Sequence, residues 1–193
     1  MHFRHSRLAT AAGLLAAALI GTATPADAQT AASGDSFATQ ARTAGLSASQ
    51  AQTLQKRIDT RLAEFGGVQT AANEIKLPSG IELLLPLPGE ARARDLDAPK
   101  QTTNAQAPAS CAYYTFCAYA GTNFTGEVLR QADCDDFFSI PWSSDGSWSN
   151  NQSSGTRARM YDEIDILIYT TPGAYSEDRV GDWEPVWWVD ACN

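Results

Sequence analysis

Histidine is absent from this sequence beyond its fifth residue, because the only two are His2 and His5. Both lie in a segment that we expect to be removed on export, so the mature chain has no imidazole. Ser-His-Asp and Cys-His catalysis need an imidazole to shuttle a proton, and H-E-x-x-H zinc sites need histidine ligands. The absence excludes these enzyme classes and predicts a protein that is not an enzyme.

Long apolar runs are also absent, apart from one near the start. Basic residues precede the run Leu8–Ile20, and Ala26-Asp27-Ala28 has the small-x-small pattern of a cleavage site. The run is too short to span a bilayer permanently. We therefore predict a signal peptide over residues 1–28, cleavage after Ala28, and a secreted, extracellular protein without a membrane partner.

Cysteine does not occur before residue 111, and every tryptophan and tyrosine lies beyond residue 110. Large aromatics provide most of the burial in a small domain, so the compact unit is predicted at the C-terminal end. The four cysteines of an exported domain are expected to form two disulfides rather than a metal site. Four cysteines allow three pairings, of which we prefer Cys111–Cys117 and Cys134–Cys192.

Basic residues are scarce in the C-terminal half. Residues 106–193 contain four arginines against thirteen carboxylates, a net charge of −9. This charge repels phosphate backbones and argues against a nucleic-acid partner. It favours cations or basic protein surfaces, although acidic residues that only keep a secreted protein dispersed would give the same composition.

The chain divides by composition into segments after the signal peptide. Residues 29–45 are small and polar and are predicted to be disordered. Residues 46–88 predict a helix and a hairpin, a possible pro-region, with a capping box at Ser47 and Gln50. Residues 89–107 predict a flexible linker.

Short strands separated by turns predict an all-β sandwich over residues 108–193. In the N-terminal region the predicted strands are Val68–Ile75 and Ile81–Leu85, joined by a turn at Pro78-Ser79-Gly80. The C-terminal candidates are Thr115–Tyr119, Glu127–Arg130, Ala158–Tyr161, Ile164–Tyr169 and Val186–Val189.

The most specific motif begins at Cys111 and Cys117 and continues as Tyr119-Ala-Gly-Thr-Asn-Phe124-Thr-Gly126. It predicts a folded hairpin in which Gly126 adopts a backbone angle closed to other residues and Tyr119 packs across it. This motif resembles the Greek-key signature of βγ-crystallins. With the short Cys-x5-Cys loop, the segment resembles the secreted bacterial metallopeptidase inhibitors that share that fold.

The resemblance implies a double Greek-key β-sandwich over residues 108–193 and a monomer that inhibits extracellular zinc metallopeptidases. Such inhibitors present a rigid, substrate-like loop. In the characterised members that loop is closed by a short disulfide in the second half, and this chain has no such cysteine pair. A weaker echo of the motif begins at Tyr169, with Tyr175 in the place of Phe124 and Glu177 in the place of the glycine. The alternative is a non-inhibitory extracellular binding or structural module.

No cofactor is predicted, with calcium as the one alternative. Asn150, Asn151 and Ser154 resemble the Asn/Asp and Ser positions of calcium-binding crystallin domains, and their oxygens suit a hard cation. The competing interpretation is that these side chains hydrogen-bond their own turn.

Two further groups of residues have both a structural and a functional interpretation. Trp183, Trp187 and Trp188 suggest a carbohydrate platform, but core packing is the commoner role for tryptophan. A set of carboxylates offers the pair that a glycosidase needs, but clustered carboxylates are usually solvated. These are Asp133, Asp135, Asp136, Asp162, Glu163 and Asp165.

Overall fold

The computed structural model describes residue 34 and residues 36–96, 108, 110–134 and 137–192. The predicted signal peptide, its cleavage after Ala28 and most of the predicted linker lie outside these residues. Among the residues described, no helix has the length and apolar character needed to cross a membrane.

Two helices open the described chain. Residues 36–43 form α1, whereas the sequence predicted disorder there. The short helix is stabilised because Ala41 is buried and Phe37 packs against the core. The helix α2 spans Ala48–Phe65, and its N-terminus has the predicted capping box of Ser47 with Gln50.

Eleven strands follow among the described residues, and all of their pairings are antiparallel. Their bounds are β1 Val68–Ala71, β2 Glu74–Lys76, β3 Glu82–Leu84, β4 Thr115–Gly121, β5 Thr125–Gln131, β6 Phe137–Ser139, β7 Asp145–Asn151, β8 Arg159–Tyr161, β9 Leu167–Thr170, β10 Ser176–Asp182 and β11 Trp188–Asp190. They form a seven-stranded sheet in the order β1-β2-β3-β5-β4-β7-β10 and a four-stranded sheet in the order β6-β11-β8-β9. The two antiparallel sheets confirm the coarse prediction of a β-sandwich.

The larger sheet joins the helix–hairpin region to the C-terminal region, because β3 pairs with β5. A continuous apolar row crosses five strands as Ile75, Leu83, Leu129, Ala118 and Trp148 pair in turn. Directly opposed residues of antiparallel strands share one face of a sheet. That face therefore carries one core across both predicted regions.

Helix α2 and the smaller sheet cover different parts of this face. Leu54 and Ile58 of α2 belong to the same buried cluster as Met160 and Val189 of the smaller sheet. The opposite face carries a separate cluster in which Tyr119 and Val128 pack with the buried Cys111–Cys117 disulfide.

Strands β4–β7 and β8–β11 form two consecutive sets of four that exchange one strand. The larger sheet contains β4, β5 and β7 together with β10 from the second set. The smaller sheet contains β8, β9 and β11 together with β6 from the first set. In each set the fourth strand lies beside the first, so the two halves have the same arrangement.

A buried ion cluster holds β3 against β5. The guanidinium of Arg130 is 6% exposed and donates to Glu82 at 2.7 Å, Asp95 at 2.9 Å and Glu74 at 3.0 Å. Burial raises the pKa of Glu74, and the charges of Glu82 and Asp95 raise it further, against the opposing effects of Thr70 and Arg130. One cation therefore holds three carboxylates at the joint between the two predicted regions.

We predict that Glu74→Gln reduces the pH dependence of stability. Because the pKa of Glu74 is raised in the fold, the unfolded chain releases this proton at lower pH than the folded chain. Protonated Glu74 is the form that the fold favours. Its contribution to the stability of the fold is therefore complete at acidic pH and is lost as the pH rises through the folded pKa. Urea unfolding between about pH 4 and about pH 8 measures the free energy of unfolding of both proteins. The value for the variant should rise relative to that of the unchanged chain as the pH approaches neutrality. The control is Glu90→Gln, at an exposed glutamate paired with Arg94. If the advantage of Glu74→Gln in the free energy of unfolding became smaller towards neutral pH, the interpretation would be contradicted.

Several strand predictions need correction. The predicted strand Val68–Ile75 is a hairpin, because the chain turns between β1 and β2. The predicted strand Ile164–Tyr169 begins only at Leu167, after a turn. Strands β6, β7 and β10 were not predicted, since their sequences are polar or short.

Candidate functional site

The motif at Tyr119, Phe124 and Gly126 forms the connection between β4 and β5. The rings of Tyr119 and Phe124 meet edge to face, with centroids 5.3 Å apart. Gly126 has a φ of +80°, and a Cβ there would lie 3.1 Å from the Cβ of Ala120. The motif is therefore structural: it folds the hairpin back on itself and requires glycine.

Burial also assigns Tyr119 a structural role. Its hydroxyl lies 3.1 Å from that of Ser110, and burial raises the pKa of Tyr119 well above its usual range. Trp183 donates from Nε1 to the Tyr119 carbonyl at 2.7 Å. This bond joins the second strand set to the first and assigns Trp183 to the core.

Both disulfides have the pairing that the sequence analysis preferred. Cys111 and Cys117, with Cα atoms 5.9 Å apart, close the loop before β4. Cys134 and Cys192, 5.1 Å apart, tie the end of the chain to the segment before β6. Neither closes a short loop in the second half.

The residues of the calcium prediction belong to β7 and the turn after it. Asn150 is fully buried, and its amide donates to the carbonyl of Thr156 at 2.9 Å. The amide of Asn151 donates to the carbonyl of Cys111 at 3.0 Å, while Ser154 is exposed. These contacts support the hydrogen-bonding interpretation, and calcium binding stays a prediction.

The remaining sequence candidates lie in different parts of the structure, except that Asp162, Glu163 and Asp165 share the β8–β9 connection. Trp187 is 47% exposed and Trp188 is half-buried on β11. Asp135 and Asp136 lie outside the described residues. The weaker copy of the Tyr119–Gly126 motif, which begins at Tyr169, lies across the β9–β10 connection. There the hydroxyl of Tyr175 donates to Glu177. Burial raises the pKa of Tyr175 to about 12, and this hydrogen bond contributes to the rise.

The β8–β9 connection and β9 form an exposed apolar segment that the motifs did not identify. Five large apolar side chains in a run of six residues are between 41% and 72% exposed: Ile164, Ile166, Leu167, Ile168 and Tyr169. Contiguous exposed apolar surface on this scale is typical of an interaction site. We call residues 162–166 the Asp162 loop.

The Asp162 loop is held closed by one carboxylate. Oδ1 of Asp162 accepts from the backbone N–H of Ile164 at 3.0 Å and of Ile166 at 2.8 Å. The Asp162 N–H also donates to the Ile166 carbonyl at 3.0 Å. Asp165 has a φ of +61°, in the left-handed region that aspartate tolerates better than most residues. The loop therefore presents Ile164, 72% exposed, from a fixed backbone.

A cleft lies between β9 and β10. Its volume is about 280 Å³, and its walls include Trp148, Ile168, Tyr169 and Asp178. Burial, followed by the charge of Asp178, raises the pKa of Tyr169. The cleft is thus mainly apolar, with the carboxylates of Asp178 and Asp182 at its wall.

Comparison of the chain with known protein families, with curated proteins and with solved structures found no match.

Proposed function

We propose that this protein is an exported inhibitor of extracellular peptidases, of the zinc metallopeptidase class, built on a βγ-crystallin-like double Greek key. The strand exchange between the two sets supports the fold proposal, since a Greek key returns its fourth strand to lie beside its first. The Cys111–Cys117 loop and the folded Tyr119–Gly126 hairpin support the same family. The observation that carries the function is the closed, exposed Asp162 loop.

The Asp162 loop has the properties that a substrate-like inhibitor needs. Ile164 projects from it as an apolar side chain that fits an apolar specificity pocket, and the backbone on either side is already fixed by hydrogen bonds. A preordered loop loses little conformational entropy on binding. In the inhibitors that this chain resembles, a short disulfide closes the reactive loop; here the Asp162 carboxylate performs that role.

The chain is suited to blocking a peptidase rather than to acting as one. Its histidines are confined to the predicted signal peptide, so the zinc and its activated water belong to the target enzyme. The Asp162 loop would enter the active-site cleft of the peptidase as a substrate does. Cleavage requires the bound backbone to distort towards the transition state, and the hydrogen bonds of the loop would oppose that distortion.

The direct test is inhibition of a thermolysin-like peptidase by the whole exported chain. We expect a 1:1 endpoint, and Ile164→Asp should weaken inhibition about 100-fold, since a charge then replaces the side chain that fills an apolar pocket. Val68→Asp is the matched control, because Val68 is 67% exposed on β1 at the far edge of the larger sheet. No inhibition across a panel of extracellular peptidases would remove the proposal.

A second variant tests loop closure. Asp162→Ala removes both carboxylate hydrogen bonds while leaving Ile164 in place, so we expect weaker inhibition, by about tenfold, and cleavage of the loop during incubation. Asp190→Ala is the control, since Asp190 accepts from one backbone N–H at Cys192. Mass spectrometry of the incubated protein locates the cut, and an intact Asp162→Ala loop with undiminished inhibition would refute this role.

The bare apolar strand β9 favours a second candidate, a non-inhibitory extracellular binding module. In that case the whole chain would leave every peptidase active. Calorimetric titration with calcium and a pull-down on cell-wall polysaccharide would then test the two ligand classes that Asn150–Gly155 and the exposed Trp187 suggest.

A further inference from the structure

The two strand sets contain equivalent edges that differ in one respect. In each set the second strand lies beyond the first, so β5 and β9 occupy corresponding positions. A strand from the N-terminal region, β3, covers the outer side of β5. Among the described residues, β9 pairs with β8 alone.

The covered edge shows what such a position accepts. On β5, β3 adds as a short antiparallel strand that places Leu83 opposite Leu129 and Glu82 opposite Arg130. Apolar side chains and one opposite-charge pair thus accompany the main-chain hydrogen bonds.

The bare edge has no lysine or proline to protect it against strand addition, although β9 is only four residues long and its register with β8 shifts between Leu167 and Tyr169. Natural edge strands carry lysine, proline or a bulge, or are covered. The sequence of β9 is Leu-Ile-Tyr-Thr, with neither lysine nor proline, and Leu167, Ile168 and Tyr169 are each more than 40% exposed. Exposed apolar side chains and free main-chain groups together are the features of a β-addition site.

The charge around β9 selects the occupant. Residues 157–190 contain eight carboxylates and three arginines, Arg157, Arg159 and Arg179, and Arg159 lies opposite Thr170 of β9. Arg179 is already engaged, since it pairs with Glu177 at 2.8 Å and lies over the ring of Phe124, and the carboxylates still outnumber the arginines. A second copy of this edge would bring like charges together, whereas a basic segment would be attracted.

We infer that β9 is a docking edge for an extended, basic segment of a partner protein, with apolar residues at alternate positions. The segment adds antiparallel to β9 as β3 adds to β5, and one of its cationic side chains lies at the cleft where Asp178 faces Tyr169. This inference goes beyond the proposed function and needs no inhibition. The two proposals fail separately, because the test measures binding alone.

The test uses the whole exported chain and three short synthetic peptides. The first alternates lysine and valine, the second alternates glutamate and valine, and the third is the lysine peptide with a central proline that cannot pair. We expect only the first to bind in calorimetry, and we expect it to slow amide hydrogen exchange within residues 167–170.

Paired variants locate the site. Leu167→Lys adds an edge lysine at an exposed position and should weaken binding of the lysine–valine peptide about tenfold or more. Val68→Lys, the matched change on edge strand β1, should leave the affinity unchanged. Because both side chains are exposed, circular dichroism should show both variants folded.

Four results would overturn the inference. Equal binding of the glutamate peptide would mean that charge does not select the occupant. Exchange protection outside β9, or equal weakening by Val68→Lys, would place the site elsewhere. Protection of the β9 amides by self-association, seen as a concentration-dependent dimer in sedimentation equilibrium, would make a second copy the occupant.

Discussion

Replacing Arg130 with alanine should destabilise the fold by about 3–5 kcal/mol, the usual cost of breaking a buried ion pair from one side. The side chain is 6% exposed and is the partner of Glu74, Glu82 and Asp95. Its removal leaves three carboxylates close together without a counter-charge. The loss also loosens β3 from β5, because two of these carboxylates belong to the β2–β3 region.

Chemical denaturation at neutral pH measures this loss. Arg61→Ala is the control, since Arg61 pairs with Glu127 and Glu64 at a partly exposed position and should cost about 1 kcal/mol or less. Acidification should restore part of the stability of Arg130→Ala, because protonation relieves the carboxylate repulsion. A loss no larger than that of Arg61→Ala would show that the cluster does not hold the two regions together.

Trp183→Ala should have an effect of similar size, about 3–5 kcal/mol, because it empties a large buried volume. Trp183 is 1% exposed and its Nε1 donates to the Tyr119 carbonyl at 2.7 Å. Trp187→Ala is the matched control, since Trp187 is 47% exposed and surface changes usually fall within about 0.5 kcal/mol. Equal losses for the two variants would contradict the assignment of Trp183 to the core.

Gly146→Ala tests the same contact from the other side. A Cβ on Gly146 would lie 2.0 Å from Nε1 of Trp183 and 2.5 Å from the Tyr119 carbonyl oxygen. The indole must therefore shift and lose its hydrogen bond, at a cost of about 1–3 kcal/mol for overpacking. Thermal unfolding followed by tryptophan fluorescence measures both the loss and the displacement, and an unchanged spectrum and midpoint would refute this account.

The elements that could be predicted from the sequence are those specified by local interactions. Helix α2 is set by a capping box and a three- and four-residue apolar repeat, and it begins and ends where these predict. The hairpin from β4 to β5 follows from the Tyr119–Gly126 motif, which acts within eight residues. The disulfide-bonded β-sandwich follows from composition and the density of turns.

Strand β7 shows why other elements escaped prediction. Its sequence, Asp-Gly-Ser-Trp-Ser-Asn-Asn, was not predicted as a strand, and its last two residues were assigned to a possible calcium motif. Yet β7 lies between β4 and β10 with six of its seven residues buried. Its polar side chains are accepted because the fold supplies their partners: Ser147 receives the Phe124 N–H and donates to the Gly121 carbonyl. Those partners are more than twenty residues away, beyond any local pattern.

The candidate site was missed for the same reason. Ile164 to Tyr169 was predicted as one strand, and an apolar strand suggests a buried one. Its exposure depends on β9 lying at a sheet edge, which strand order alone decides. The three partners of Arg130 likewise come from segments 35 to 56 residues away, so no spacing rule identifies them.

The meander β1–β3 determines which strands are exposed as edges, because it covers the outer side of β5. Without it, β5 would be a second adhesive edge, presenting the cationic Arg130 where β9 presents acidic surroundings. Opposite ends of unlike charge would let copies join head to tail, and such contacts grow into filaments wherever they do not close into a ring. Because the N-terminal meander covers β5, growth through that strand is prevented, and among the described residues β1 takes its place as the edge of the larger sheet.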